Sequence, residues 1–325
     1  MKVSRIIFAS LLLCFFGIGF AHSQDNSKKD KSKDNKSGSK FVEVKANLMV
    51  LEADGKFADI KLEDLKIYED GVEQKIEYVT KKENALNIGF VMDNTGSMRS
   101  YLERIAAAGA TLVNNLRQQD EAFVVRFVSS DKVEIFQDWT SNKKLLNDGL
   151  ANMFIEGGRS AVIDGIYLSA EVVKKREKVD HSTRTALILI TDGDDRDSYF
   201  NRRQLFDLLK GSDMQIFVIG LVGELAFESL QKNSVKFINQ LALETGGAAF
   251  VLKGKSKKIE TELVESIKAI LTELNSQYVV GYTSTNQKRD GLARKLTVQI
   301  ADGAKGEKRQ AFIRESFVVP EEKIK

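Results

Sequence analysis

The stretch that decides the fold is Gly-Phe-Val-Met-Asp-Asn-Thr-Gly-Ser-Met, residues 89–98. It continues an apolar run that starts at Leu86, and after Met92 it places an acid, two hydroxyl groups and a glycine within five residues. An apolar run of this length is typical of a buried strand, and the polar residues then form the loop at its carboxyl end. So many oxygen atoms in one loop make it a candidate ligand site.

The segment 84–276 repeats this pattern of an apolar strand followed by a helix. Apolar residues recur at helical spacing over 97–117, and the next apolar run is 122–128. The alternation continues with apolar runs at 186–191, 216–221 and 248–252 and amphipathic segments at 162–174, 202–209 and 235–243. Strands that alternate with helices predict an α/β fold with a doubly wound, mainly parallel sheet, covered by helices on both faces.

The residues on either side of this segment have the period of two that is typical of β-strands. An N-terminal β segment spans 41–82, and a C-terminal β segment spans 277–325. In the first, Asp70-Gly71 separates two strand-like runs and is the residue pair that a type I′ hairpin turn favours. Because neither segment has enough strands to be stable alone, we expect the two to combine into one small β subdomain.

The first 40 residues predict an exported protein. Two basic residues precede the apolar run 6–20, and Ala21-His22-Ser23 resembles a cleavage site, so residues 1–23 are interpreted as a signal peptide. Fifteen apolar residues are too few to span a bilayer comfortably, and no second apolar stretch of that kind follows, so no integral membrane segment is expected in the mature chain. Residues 24–40 are polar and charged and predict a disordered linker. A periplasmic or secreted location follows.

The composition excludes several classes of function. The single cysteine, Cys14, lies in the leader, so the mature chain forms no disulfide and holds no thiolate metal site. The mature chain keeps one histidine, His181, which argues against zinc chemistry and a serine-histidine triad. The leader also takes two of the 49 basic residues and none of the 46 acidic ones, which leaves 47 against 46. No nucleic acid partner is expected from that balance.

Three loops of the α/β segment carry oxygen ligands. The first loop contributes Asp93, Thr95 and Ser97, the second contributes Ser160 after two glycines, and the third contributes Asp192 after an apolar strand. In a parallel sheet such loops meet at the carboxyl ends of the strands. Carboxylates and hydroxyls suit a hard divalent cation, above all Mg²⁺, with Mn²⁺ or Ca²⁺ as substitutes.

These residues resemble the metal-ion-dependent adhesion site of von Willebrand factor type A (VWA) domains. That site has Asp-x-Ser-x-Ser after one strand, a Thr in a second loop and an Asp after a later strand. Asp93, Thr95 and Ser97 correspond to the first element, Ser160 to the Thr and Asp192 to the last Asp. Thr95 and Ser160 exchange the hydroxyl type but keep the oxygen.

The segments that flank the domain are similar to a bacterial branch of exported VWFA-related proteins, in which Tyr-Glu-Asp-Gly precedes the domain and a Gly-Tyr strand follows it. Residues 68–71 and 281–282 correspond to these segments. The resemblance implies a non-enzymatic protein that binds a cation and, through it, an exposed Asp or Glu of a partner protein.

Other interpretations remain open at this point. Taken singly, each loop could be a helix cap, a turn or a glycine loop, although together the three favour a metal site. Asp93 could instead be the nucleophile of a metal-dependent phosphatase. Phosphatases of that kind resemble Asp-x-Asp-x-Thr or Asp-x-Asp-x-Val, and Thr95 occupies the position of their second acid. The protein could also be an envelope scaffold with an incidental metal. Asp194, Asp195 and Asp197 suggest either a second ion site or, as we favour, a solvated acidic loop.

Overall fold

The computed structural model describes residues 41–81, 85–177, 184–210, 212–254, 257–319 and 321. The predicted signal peptide (1–23), the predicted linker (24–40) and His181 lie outside the described residues. The described part from residue 41 onward is one compact unit. None of its helices combines the length and apolar character needed to cross a membrane.

The described strands, in chain order, are β1 (Glu43–Glu52), β2 (Leu65–Glu69), β3 (Val72–Gln74), β4 (Ile76–Lys81), β5 (Leu86–Asp93), β6 (Glu121–Phe127), β7 (Val133–Thr140), β8 (Arg184–Thr191), β9 (Gln215–Leu221), β10 (Ala249–Leu252), β11 (Tyr278–Thr283), β12 (Ala293–Ile300), β13 (Arg309–Ile313) and β14 (Ser316–Val318). The described α-helices are α1 (Leu102–Asn115), α2 (Lys143–Ala151), α3 (Val162–Glu177), α4 (Arg202–Lys210), α5 (Glu228–Thr245) and α6 (Lys257–Ser276).

The central sheet has the strand order β10-β9-β8-β5-β6-β7, and all neighbours are parallel except β6 and β7. Strands β5, β8 and β9 are buried along their whole length, as expected when helices cover both faces of a sheet. One apolar cluster joins the sheet to α1, α2 and α6, and a second joins it to α3, α4 and α5. The predicted α/β fold with a doubly wound, mainly parallel sheet is confirmed.

Three elements of the central domain were not predicted from the sequence. They are the antiparallel edge strand β7 and the helices α2 and α6. Strand β7 has no regular alternation of buried and exposed residues, because one of its edges is free and its pairing with β6 contains register shifts. The predicted helix over 97–117 is also shorter than expected: Gly96–Met98 forms a 3-10 turn, and α1 starts at Leu102.

Strands from the two ends of the chain pair with each other in two antiparallel sheets. One sheet has the order β13-β1-β11-β4, and the other has the order β14-β12-β2-β3. A third apolar cluster, with side chains from β1, β2, β11 and β12, fills the space between them. We call these two sheets the β sandwich. The predicted boundaries of the chain's domains stay a prediction.

The Asp70-Gly71 turn between β2 and β3 has the predicted type I′ character, because both residues have positive φ angles, 48° and 83°. Its flanking residues Glu69 and Val72 are paired, so the loop has two residues. Glu69 also accepts a hydrogen bond from the Tyr282 hydroxyl at 3.0 Å. The two flanking motifs that the sequence singled out therefore meet inside the β sandwich.

The β sandwich lies at the end of the central sheet where its parallel strands begin. Strand β4 leads into the first residues of β5, and helix α6 leads directly into β11. Arg314, between β13 and β14, donates to the Ser212 carbonyl at 2.6 Å, just before β9 begins. Two of the loops that carry the candidate ligands follow the carboxyl ends of β5 and β8, and the loop that carries Ser160 is bonded to the first of them, so all three lie at the opposite end of the sheet.

Candidate metal centre

The candidate site is built on the two middle strands of the central sheet. β5 and β8 are parallel neighbours, and Met92 pairs with Ile190 near their carboxyl ends. Asp93 is the last residue of β5, and Asp192 directly follows β8. Because the two strands run side by side in the same direction, both carboxylates lie at the same end of the sheet, next to the carboxyl ends of its strands.

Hydrogen bonds join the predicted ligands from the first two loops around Asp93. The Thr95 hydroxyl donates to Asp93 Oδ1 at 2.7 Å, and the Thr95 amide donates to the same oxygen at 3.0 Å. The Ser160 hydroxyl donates to Asp93 Oδ2 at 3.1 Å. The Thr95 and Ser97 hydroxyl oxygens lie 3.1 Å apart. The Ser97 side chain also lies close enough to Asp192 to lower the pKa of that carboxyl, so the structure brings all five predicted residues together.

Ser97 is the exposed member of the cluster. Asp93, Thr95, Ser160 and Asp192 are buried, with between 3% and 7% of their surface exposed. Ser97 is exposed, and it follows Gly96, which is exposed as well. A ligand would therefore approach from the loop between β5 and α1.

The electrostatics of the cluster favour a positive charge. Burial and the neighbouring charge of Asp192 raise the pKa of Asp93 to about 6, although hydrogen bonds from Thr95 and Thr191 act in the opposite direction. Burial likewise raises the pKa of Asp192, against hydrogen bonds from the Asp194 amide and Ser97. Two buried carboxylates side by side are costly when both are ionised, and a bound cation would remove that cost.

The donor set fits a hard divalent cation. It offers two carboxylates and three hydroxyls, all oxygen, as Mg²⁺ and Mn²⁺ prefer. The described residues contain no group of three or more His, Cys, Asp or Glu side chains that could hold a metal. A cation here would therefore depend on the hydroxyls as much as on the carboxylates, which is the donor pattern that the three loops predicted.

Two further residues shape the site and were not predicted from the sequence. Thr191 donates from its hydroxyl to Asp93 Oδ2 at 2.7 Å and accepts from the Gly193 amide at 3.0 Å. Asn94 is fully buried, and its amide group donates to the Phe154 carbonyl at 3.0 Å, which ties the loop before Ser160 to the loop after β5. The one sequence feature that could have identified these two residues is their position, because Thr191 is adjacent to Asp192 and Asn94 is adjacent to Asp93.

The acidic residues after Asp192 are neither a separate cluster nor simply solvated. Asp195 is half-buried and accepts from the Ile163 amide at 3.1 Å, so it caps the start of α3, and burial raises its pKa. Asp194 accepts from Arg196, and Asp197 accepts from the Ser130 amide at 3.4 Å. The prediction of a solvated acidic loop is wrong for Asp195, because a helix start needs acceptors for its free amides.

The loop after β8 is held from the other side as well. Asp164, in the first turn of α3, accepts from the amides of Tyr199 and Phe200 at 2.7 and 2.9 Å. Helix α3 and the loop therefore bind each other reciprocally. These bonds fix the loop that carries Asp192.

Residues 88–194 match the family model described as von Willebrand factor type A domain. This range contains all five candidate ligands. No curated protein matches the chain.

Several solved structures are similar to it. The conserved hypothetical protein BatB from Bacteroides thetaiotaomicron is 16% identical, with 57% of this chain and 99% of that chain covered and a TM-score of 0.41. The vWF domain of the type V pili tip protein Mfa5 from Porphyromonas gingivalis is 11% identical, with 59% and 95% covered and a TM-score of 0.45. A von Willebrand factor type A protein from Catenulispora acidiphila is 11% identical, with 88% and 76% covered and a TM-score of 0.45. These identities are too low to transfer a function to this chain.

Proposed function

We propose that the chain is an exported, non-enzymatic protein that binds a partner protein through a divalent cation, and the match of residues 88–194 to the von Willebrand factor type A model supports this. Asp93, Thr95, Ser97, Ser160 and Asp192 hold the cation. Export depends on the signal peptide at residues 1–23, and the protein acts in the periplasm or outside the cell. The native cation is Mg²⁺, or Mn²⁺ or Ca²⁺ in its place.

The observation that supports this proposal most directly is the hydrogen-bonded cluster of two buried carboxylates and three hydroxyls. Their combined charge of −2 matches one divalent cation and leaves no excess. A further ligand to the cation would therefore be an anionic oxygen, and the side chain of an exposed Asp or Glu of a partner protein supplies one. The exposure of Ser97 gives that side chain a route to the site.

The surroundings of Asp93 favour binding over phosphoryl transfer. Both of its carboxylate oxygens accept hydroxyl hydrogen bonds, from Thr95, Ser160 and Thr191. A phosphatase of the kind considered above would need a second acid close by to protonate the leaving group. Thr95 occupies the place of that acid, so the chain lacks this catalytic partner in the loop after β5.

The test is calorimetry with MgCl₂ and MnCl₂. The wild type should bind one cation, and Asp93→Ala and Asp192→Ala should each abolish binding, because a buried site with one carboxylate cannot balance a divalent charge. Thr95→Ser keeps the hydroxyl and should bind as the wild type does. Asp131→Ala is the matched control, since it removes an exposed acid from the same edge of the sheet. Undiminished binding by both site variants would refute the proposed centre.

Affinity capture from envelope extracts then tests the partner. The wild type should retain a protein in MnCl₂ and release it in a chelator, whereas Asp93→Ala should retain none in either condition. If the same protein is captured with and without chelator, and by Asp93→Ala as well as by the wild type, the result would favour a scaffold with an incidental metal.

A further inference from the structure

Two exposed arginines lie next to the candidate metal centre without an ionic partner. Arg99 follows Ser97 by two residues, and Arg159 directly precedes Ser160. Other arginines at this edge of the sheet are paired: Arg126 with Glu134 and Glu156, and Arg196 with Asp194. Within the described part of the chain, no ion pair includes Arg99 or Arg159. Their charges are therefore available to a ligand.

The hydrogen bonds of the cluster bring together the two loops that carry these arginines. Ser160 is bonded to Asp93, and Ser97 is linked to Asp93 through Thr95. Arg99 therefore belongs to the loop after β5 and Arg159 to the loop before α3, and both are exposed next to the cluster. A guanidinium prefers a carboxylate, which it can bind with two parallel hydrogen bonds.

Two exposed aromatic rings belong to the loops that carry Ser160 and Asp192. Phe154 is 50% exposed and Tyr199 is 81% exposed, and they lie before Arg159 and after Asp192 respectively. The Arg126 guanidinium lies 4.0 Å from the centre of the Phe154 ring. Tyr199 meets Phe200 edge to face at 5.2 Å, and Asp164 holds the backbone amides of both residues. These contacts restrict the two rings before a partner binds. Binding would therefore cost less conformational entropy than it would for freely moving side chains.

Arginine and aromatic side chains are the residues most enriched where binding energy concentrates at protein interfaces. Arg99, Phe154, Arg159 and Tyr199 are exposed arginine and aromatic residues of the three loops that carry the candidate ligands, and we call this set the rim. Once a divalent cation balances Asp93 and Asp192, Arg99 and Arg159 add two positive charges to the rim that no ion pair neutralises within the described residues. A partner that offers a single carboxylate to the cation would leave both of them unpaired.

We propose that the rim binds an acidic segment of the partner protein that carries at least two carboxylates and an adjoining apolar side chain. One carboxylate reaches the cation, and the others pair with Arg99 and Arg159. The apolar side chain packs on Tyr199, the more exposed of the two rings. This inference rests on the proposed function and adds to it the chemistry of the partner.

The test compares two synthetic hexapeptides on the full chain in saturating MnCl₂. Gly-Ser-Phe-Asp-Ser-Gly carries one acidic side chain, and Gly-Glu-Phe-Asp-Glu-Gly carries three. The wild type should bind the triacidic peptide about fivefold more tightly, as two partly exposed ion pairs would give. In Arg99→Gln/Arg159→Gln this preference should disappear, while the affinity for MnCl₂ alone stays within about twofold, because neither arginine belongs to the cluster.

The matched control is Lys45→Gln/Lys295→Gln. It makes the same change in net charge at two exposed positions of the β sandwich, at the other edge of the central sheet. It should keep the wild-type preference for the triacidic peptide. Raising the salt concentration should reduce that preference, since exposed ion pairs are screened. Tyr199→Ala should weaken both peptides alike, because both contain a phenylalanine.

The inference and the proposed function fail in different ways. Equal affinity of the wild type for the two peptides, or a preference that survives in the double arginine variant, would overturn the rim. Absence of MnCl₂ binding by the wild type would overturn the metal centre. In that case, a preference for the triacidic peptide that persists in chelator and requires both arginines would still support the rim.

Discussion

At the scale of a single residue, Asp93 is a buried carboxylate whose two oxygens are both hydrogen-bonded. Its carboxylate accepts hydrogen bonds from the Thr95 amide and from three hydroxyls, those of Thr95, Ser160 and Thr191. These bonds satisfy the oxygen lone pairs but do not neutralise the charge. The carboxylate is thus prepared for a cation at the expense of stability without one, a common feature of functional sites.

The raised pKa of Asp93 predicts how the stability of the metal-free protein depends on pH. The folded state holds this proton with a pKa of about 6, compared with 3.8 for an unperturbed Asp. Because the pKa is raised in the folded state, protonated Asp93 makes its full contribution to the free energy of unfolding below about pH 4. That contribution is lost as the pH rises through 6. Asp93→Asn cannot ionise, so at pH 8 in chelator it should be more stable than the wild type by roughly 1 to 3 kcal/mol.

Urea unfolding at pH 4 and pH 8 measures this difference directly. The advantage of Asp93→Asn should shrink towards pH 4, and saturating MnCl₂ at pH 8 should reverse it, because only the wild type gains from the cation. A metal-free wild type that is the more stable protein at pH 8 would contradict the electrostatic account of the site.

At the scale of elements, a buried ion pair joins β2 to β12. Glu69 and Arg294 are each 2% exposed, and Arg294 Nη1 donates to Glu69 Oε1 at 2.9 Å. The hydroxyls of Tyr282 and Ser284 donate to the same carboxylate, and the Asn286 carbonyl accepts from Arg294 at 2.6 Å. The pair connects the two ends of the chain, so it specifies which strand of the C-terminal segment lies beside β2.

Removing one member of this pair should be far more damaging than removing both. Glu69→Ala leaves a buried guanidinium without its partner and should lower the free energy of unfolding by about 3 to 5 kcal/mol. Glu69→Met/Arg294→Met replaces the pair with apolar side chains and should lose less than either single variant. Urea unfolding measures both effects.

The exposed pair of Lys66 and Glu73, 3.7 Å apart, is the control for this comparison. Lys66→Met should change the free energy of unfolding by less than about 1 kcal/mol, as expected for an ion pair in solvent. A double variant less stable than Glu69→Ala would show that the polar network as a whole, and not the unpaired charge, is decisive.

At the scale of the whole molecule, Arg314 ties the β sandwich to the α/β body. Its guanidinium donates to the Lys210 carbonyl at the end of α4 at 3.4 Å, and beyond that helix to the Ser212 carbonyl at 2.6 Å and to Asp213 at 3.0 Å. Arg314 Nε donates to the Ser316 carbonyl at 2.6 Å, which fixes the arginine within its own segment. This side chain therefore connects two parts that have separate apolar clusters.

We expect Arg314→Ala to uncouple the unfolding of these two parts. Trp139, the single tryptophan, lies in β7 and reports on the α/β body, whereas circular dichroism reports on the whole chain. The two signals should coincide during urea unfolding of the wild type and should separate in Arg314→Ala. Arg309→Ala is the control, because Arg309 bonds Asp64 and the Asp59 carbonyl within the β sandwich. Coincident transitions in Arg314→Ala would contradict this role.

The amino-acid sequence by itself determined what local patterns encode. The length and apolar character of β5, β8 and β9 predict buried parallel strands, because helices cover both faces of such a sheet. The Asp70-Gly71 turn follows from the ease with which these residues adopt positive φ angles. The five oxygen ligands could be proposed because each follows or flanks a recognisable element.

Only the tertiary structure decided which distant residues meet. Glu69 and Arg294 are 225 positions apart, and nothing in the residues around either one specifies the other. Thr191 and Asn94 support the site through contacts that depend on how neighbouring loops pack, and β7 is held by pairing with β6 alone on one side. The physical reason is that strand periodicity and turn preferences arise from adjacent residues, whereas ion pairs, edge strands and the positions of ligands depend on the arrangement of the whole chain.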